Sequence, residues 1–197
     1  MHSIHRPTRH RNSKFVNSPK CISAIPASTA LHRDLLIQSA LDAHVRSIEF
    51  VDEIRHRGRA ASPRSIILNR DDGRFMLDIL GADEATDAEH DEDPLETLQS
   101  RGISLLKISP EQIRRGPRFG NARRIWEFCN ADPGVRQRER ILDRLWDRGP
   151  QTIYELELFS NSYDVVPSLS ALACADLVEI DIDSSPLGPR TLIRTRR

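Results

Sequence analysis

At 197 residues, with 38% hydrophobic and 29% charged side chains, the chain has room for one compact domain with a tail or for two small ones, and it reads as globular and soluble. Its 29 basic and 29 acidic residues cancel, so no global basic field announces nucleic acid. Cys21, Cys129 and Cys174 are far apart and without ligand spacing, which excludes a disulfide framework or a zinc cluster and fits a reducing cytoplasm.

Residues 1–30 are a basic tract with no acid, carrying Arg6, Arg9, Arg11, Lys14 and Lys20. Scattered apolar residues make it a disordered extension, dispensable for folding, rather than a secretory signal; nothing later is apolar for long enough to span a membrane. From residue 32 to 57, Ile37, Leu41, Val45, Ile48 and Val51 recur at spacings of three and four. That spacing predicts one amphipathic helix, with Glu49 at the edge of its apolar stripe and Gly58 as its stop.

A hairpin follows: a strand over 64–69, the turn Arg70-Asp71-Asp72-Gly73, and a strand running to Leu80. Alternation puts Phe75, Leu77 and Ile79 on one side and Met76, Asp78 and Leu80 on the other. Asp78 is then a carboxylate with apolar neighbours on its own face, and such an acid needs a hydrogen-bond partner, a counter-charge or a cation. Either it caps a backbone or meets an arginine, or it holds a divalent metal. Residues 83–93 are an acidic run without lysine or arginine, expected as a solvated loop before a short helix that ends at Gly102. Residues 103–108 read as a buried strand, and Ser109-Pro110-Glu111-Gln112 as a capping box opening a helix. These elements predict a small mixed α/β domain over residues 31–129.

A second unit is expected over residues 130–197. A helix over 135–148 turns Ile141, Leu142, Leu145 and Trp146 inward and arginines outward. A short helix over 152–159 and a third, capped by Asp164 with Pro167 in its first turn, come next. The third exposes Ser168, Ser170, Ala171 and Cys174 and no basic residue. A hairpin over 177–195 closes the chain, and three helices followed by two strands is the order of a winged helix.

Three places carry a family resemblance: Ser47-Ile48-Glu49-Phe50, the stretch 73–78, and the strand-to-helix step over 103–112. In them the chain resembles the TnsA-type transposon endonuclease subunit, which joins a restriction-endonuclease-like PD-(D/E)XK domain to a C-terminal winged helix. The resemblance implies an α+β protein in that arrangement. It also implies that Glu49 and Asp78 are metal ligands for Mg²⁺, with a further acid or glutamine and a lysine two residues later on the next strand. Those last two pieces are missing. Lys107 follows Leu105, which cannot bind a metal, and Gln99-Ser100-Arg101 offers arginine in place of lysine at a helix end.

The endonuclease site therefore reads as dismantled, and the expectation is a cytoplasmic, non-catalytic, nuclease-like protein. It would bind DNA weakly or support a DNA-processing assembly through a protein partner, with no small-molecule cofactor. The alternatives are an active Mg²⁺-dependent endonuclease with an unconventional site, and a protein-interaction module that never touches DNA. Arg136, Arg140, Arg144 and Arg148 on the first helix of the second unit are the candidate DNA-backbone contacts. Arg194 and Arg196 on the last strand either join them or pair with Glu179 and Asp181 across the hairpin.

Overall fold

The computed structural model describes residues 14–56, 59–80, 98–161 and 164–196, with side chains of 52–64 left aside. The expected acidic loop at 83–93 lies outside the described residues. The chain divides into two compact units, Lys14–Ile113 and a second holding Arg114–Arg197. The division thus falls ahead of the expected boundary at 130, because the helix after residue 117 packs with the second unit.

The first unit begins earlier than expected. Strands β1 (Phe15–Val16) and β2 (Ile25–Pro26) pair antiparallel, and they bury Val16 and Ile25. Residues 14–30 are therefore folded, which corrects their reading as part of a disordered extension. Two apolar residues too scattered to show a period find each other across a tight loop. Between them, Lys20 is buried, and its Nζ donates to the Asp42 carbonyl at 2.6 Å. A cation is favourable there because α1 (Ala30–Leu41) ends at that carbonyl.

Helix α1 starts at the Thr29 cap, whose hydroxyl accepts from the His32 N–H at 3.1 Å. It stops at Asp42, whose carboxylate accepts from the His44 N–H at 2.8 Å and turns the chain. The predicted single helix over 32–57 is therefore wrong: its second half is strand β3 (Val45–His56). A bulge explains the false period. Val45 pairs with Arg70 but Ser47 pairs with Asn69, so β3 spends an extra residue there. Val45 and Ile48 then face the same way at a spacing of three, which imitates a helical stripe, and both are buried.

Strands β4 (Arg59–Arg70), β5 (Gly73–Ile79) and β6 (Ile103–Ile108) complete a sheet of order β3-β4-β5-β6. The first three are antiparallel neighbours and β6 runs parallel to β5. The outer edge of β3 is partly covered, since the Ile48 N–H donates to Lys20 and its carbonyl accepts from Ile22. One sheet face packs Leu77, Ile79 and Ile108 on Leu31 and Leu35 of α1 and on Ile113 of α2 (Pro110–Ile113). The predicted capping box opens α2, with Ser109 N–H to Gln112 Oε1 at 2.8 Å and Gln112 N–H to Ser109 Oγ at 3.3 Å. The other face gathers Val51, Ile67, Met76, Leu98, Ile103 and Leu105.

The second unit holds α3 (Arg118–Trp126), α4 (Val135–Arg148), β7 (Gln151–Thr152), α5 (Ile153–Ser160), α6 (Val166–Cys174), β8 (Val178–Ile180) and β9 (Leu192–Thr195). Its sheet has the order β7-β9-β8, both pairings antiparallel. Two expected faces are corrected. Trp146 is 81% exposed rather than inward, because Ile141 and Leu145 alone centre the buried stripe of α4. Ser168, Ser170, Ala171 and Cys174 are buried rather than exposed, because α3 packs along α6 and small side chains allow the close approach. Among the described residues no helix is long and apolar enough to cross a membrane.

Candidate functional site

Glu49, Ile67, Met76 and Leu105 form one row across the sheet, each paired with the next. Paired residues on adjacent strands point to the same face, so Glu49 shares its face with Met76 and hence, by alternation, with Asp78. The adjacent row in one direction is Ser47, Asn69, Arg74 and Ile103. In the other direction lie Asp78 and Lys107, in register on β5 and β6.

The Glu49 carboxylate leans toward the first of these rows. Asn69 Nδ2 donates to Glu49 Oε1 and, at 2.7 Å, to Ser47 Oγ. Arg74 Nη2 stands 3.6 Å from Glu49 Oε2, and Arg74 Nε donates to Asn69 Oδ1 at 2.9 Å. Both Glu49 oxygens and both polar atoms of the Asn69 side chain have a partner in this small network, and the Glu49 side chain is only 27% exposed. Asn69 and Arg74 are directly opposed where the hairpin nears its turn, which brings them onto the same side as Glu49.

Asp78 stands apart from it. Two strands at about 4.8 Å and two residues at about 3.3 Å put the Glu49 and Asp78 Cα atoms on the order of 12 Å apart. Magnesium draws its oxygens to about 2.1 Å, so joint coordination would need both side chains extended toward one another. Glu49 instead extends toward Arg74, which lies four residues before Asp78 along β5. Asp78 is half-buried, and among the described residues no hydrogen bond or ion pair engages it. The expectation that apolar neighbours force it into a partnership is therefore not met there, because its partial exposure leaves it hydrated. Lys107 is exposed beside it on the parallel strand, two residues past Leu105, which packs into the apolar cluster instead.

Among the described residues no group of three or more His, Cys, Asp or Glu stands together as a metal-binding set. Gln99-Ser100-Arg101 belongs to a helix end rather than a strand: the Gly102 N–H donates to the Gln99 carbonyl, and Gly102 takes a positive φ of 65°.

The arginines of the second unit separate into neutralised and unneutralised ones. Arg194 pairs with Glu179, and Arg196 binds Glu179 and Asp176 at 3.1 Å each with only 11% of its side chain exposed. For these two, cross-strand pairing is what the geometry realises. Arg118 forms a two-pronged bond to Asp183 at 2.8 and 2.9 Å. Arg136, Arg140 and Arg148 are exposed on α4 and Arg144 is half-buried, and none of the four pairs with an acid among the described residues. Asp181, which shares the hairpin, loses some hydration to burial, but the hydroxyl and N–H of Ser184 and the N–H of Asp183 hold its pKa below the ordinary value.

Asn121 was invisible to sequence reasoning and is the main tie inside this unit. Its amide donates to the Ile182 and Ser185 carbonyls at 3.0 and 2.8 Å and accepts from the Leu187 N–H at 2.8 Å. A scan against protein-family models finds no family that matches this chain, and a search of curated proteins finds no match.

Proposed function

We propose that this chain is a non-catalytic, nuclease-like protein that supports a DNA-processing assembly and binds DNA weakly through its backbone phosphates. The observation that carries the non-catalytic part is the Glu49 carboxylate, held by Asn69 and Arg74 and drawn away from Asp78. The nuclease-like part is supported by the resemblance to the TnsA-type subunit together with the element order. A helix, three antiparallel strands and a parallel fourth are followed by a unit in which α3 precedes the order helix, strand, helix, helix, strand, strand. In that second unit β9 pairs with both β7 and β8, an arrangement that supports the winged-helix reading.

The mode of DNA contact follows from burial. In a winged helix the third helix enters the major groove. Here that helix is α6, whose residues 168–174 are all buried, with α3 and β8 packed on it. Sequence reading by α6 is therefore no part of the proposal, and the phosphate contacts are assigned to Arg136, Arg140, Arg144 and Arg148 of α4. The second reading, a protein-interaction module, is favoured by Tyr154 and Leu158, which are exposed one turn apart on α5. Incubating supercoiled plasmid with the protein and Mg²⁺ or Mn²⁺, beside an Asp78→Asn variant, tests the catalytic question. Intact plasmid in both lanes is expected; metal-dependent nicking that the variant lacks would establish the endonuclease alternative.

A further inference from the structure

We infer that Arg140 and Arg144 form an oriented clamp for a DNA phosphate, held in place by Phe159 of α5. The inference rests on the DNA-binding reading above and assigns its contact point. Arg140 and Arg144 lie one turn apart on α4, about 6 Å along the helix axis. The Arg140 Cζ stands 5.3 Å and the Arg144 Cζ 4.9 Å from the centroid of the same Phe159 ring. Two guanidiniums gathered at one ring repel each other unless an anion joins them, while the ring face holds each by cation–π attraction.

Their remaining bonds are to neutral groups. Arg140 Nη2 donates to the Phe159 carbonyl at 3.2 Å, and Arg144 Nε donates to Gln151 Oε1 at 3.3 Å. Gln151 is itself buried, with its amide donating to the Pro150 carbonyl at 3.1 Å, so the acceptor for Arg144 is fixed. These contacts set the direction of both side chains without cancelling their charge. Arg118, Arg194 and Arg196, by contrast, are neutralised by carboxylates. Glu155 acts on Arg144 only through space, and Asp143 and Asp147 of the same helix form no ion pair with either arginine.

A pre-oriented pair of planar cations with unspent N–H donors is suited to bidentate recognition of phosphate. A polymer of phosphates is favoured over a lone anion because Arg136 and Arg148 extend the row by one turn on each side. Binding would depend on the backbone and not on base sequence.

The test is fluorescence anisotropy of the full-length protein with a labelled duplex of arbitrary sequence, titrated from low to physiological salt. Variants are Arg140→Gln/Arg144→Gln, Phe159→Leu and Arg194→Gln, each checked for an unchanged far-UV spectrum and cooperative melting. The double glutamine variant should lose roughly tenfold or more in affinity at low salt and flatten the salt slope by about one phosphate contact or more. Phe159→Leu keeps every charge, so it should weaken binding several-fold with the slope unchanged. Arg194→Gln should bind like the natural protein. If the natural protein binds DNA and the double variant binds equally well, the clamp is wrong while the DNA-binding reading stands. If the natural protein fails to bind at low salt, the DNA-binding reading falls and the clamp with it.

Discussion

Lys20 and Glu155 are two charged residues whose worth is set by a single backbone end. Lys20 gives its ammonium to the carbonyl of Asp42, the C-cap of α1, while almost wholly buried. Lys20→Met keeps the apolar stem and deletes the charged hydrogen bond, which should cost about 1.5–3 kcal/mol in urea denaturation. Glu155 closes the capping box of α5, accepting from the Thr152 N–H at 2.7 Å while its own N–H donates to the Thr152 hydroxyl at 3.2 Å. The bond from the Thr152 N–H, then that from its hydroxyl, holds the Glu155 pKa below its ordinary 4.5. A depressed carboxylate contributes stability above its unfolded pKa and loses it as pH falls through the folded one. The destabilisation caused by Glu155→Gln should therefore be present at neutral pH and fade as pH falls from the ordinary 4.5 through the lower folded-state pKa, as melting temperature against pH will show. Thr152→Ala should cost about 1 kcal/mol. At this scale the alternation of β5 was legible, with Met76 and Asp78 on one face and Leu77 and Ile79 on the other, since strand alternation needs no tertiary knowledge. Asn69 and Arg74 as partners of Glu49 were not legible, because they meet it only through the strand pairing that sequence reasoning had replaced with a helix.

At the level of elements, β3 and α6 show where local pattern runs out. Strands β4, β5 and β6, the α2 capping box and the ends of α4 all follow from turn chemistry, alternation and caps that neighbouring residues supply. In β3 a bulge shifts the parity of buried positions, so a strand carries helical spacing over its first turn-length. In α6 the sequence Val166-Pro167-Ser168-Leu169-Ser170-Ala171 looks half-polar, yet α3 arrives from 40-odd positions away in the chain to cover it; no local window contains that contact. The packing makes two predictions. Leu169→Ala, at a fully buried site, should cost about 2–5 kcal/mol in chemical denaturation. Deleting the chain through residue 29 removes Val16, Ile25 and Lys20, and should lower the melting temperature by about 10 °C or more. An unchanged melting temperature would restore the reading of that whole segment as a dispensable tail.

For the whole molecule, two compact units divide the work differently from the sequence expectation. The tie of Asn121 to the 182–187 turn gives α3 to the second unit, and it is that helix which removes α6 from any groove. In the mixed sheet of the first unit the two carboxylates expected as metal ligands go separate ways: Glu49 turns to Asn69 and Arg74, and Asp78 stays half-buried in register with Lys107. The most direct test of that separation is a thermal-denaturation cycle of Glu49→Gln, Asp78→Asn and the double variant, with and without millimolar Mg²⁺ or Mn²⁺. Independent structural acids predict additive shifts that metal does not alter. A melting temperature raised by metal in the natural protein, with the rise abolished by either single substitution, would show that the two carboxylates bind one ion and contradict the account.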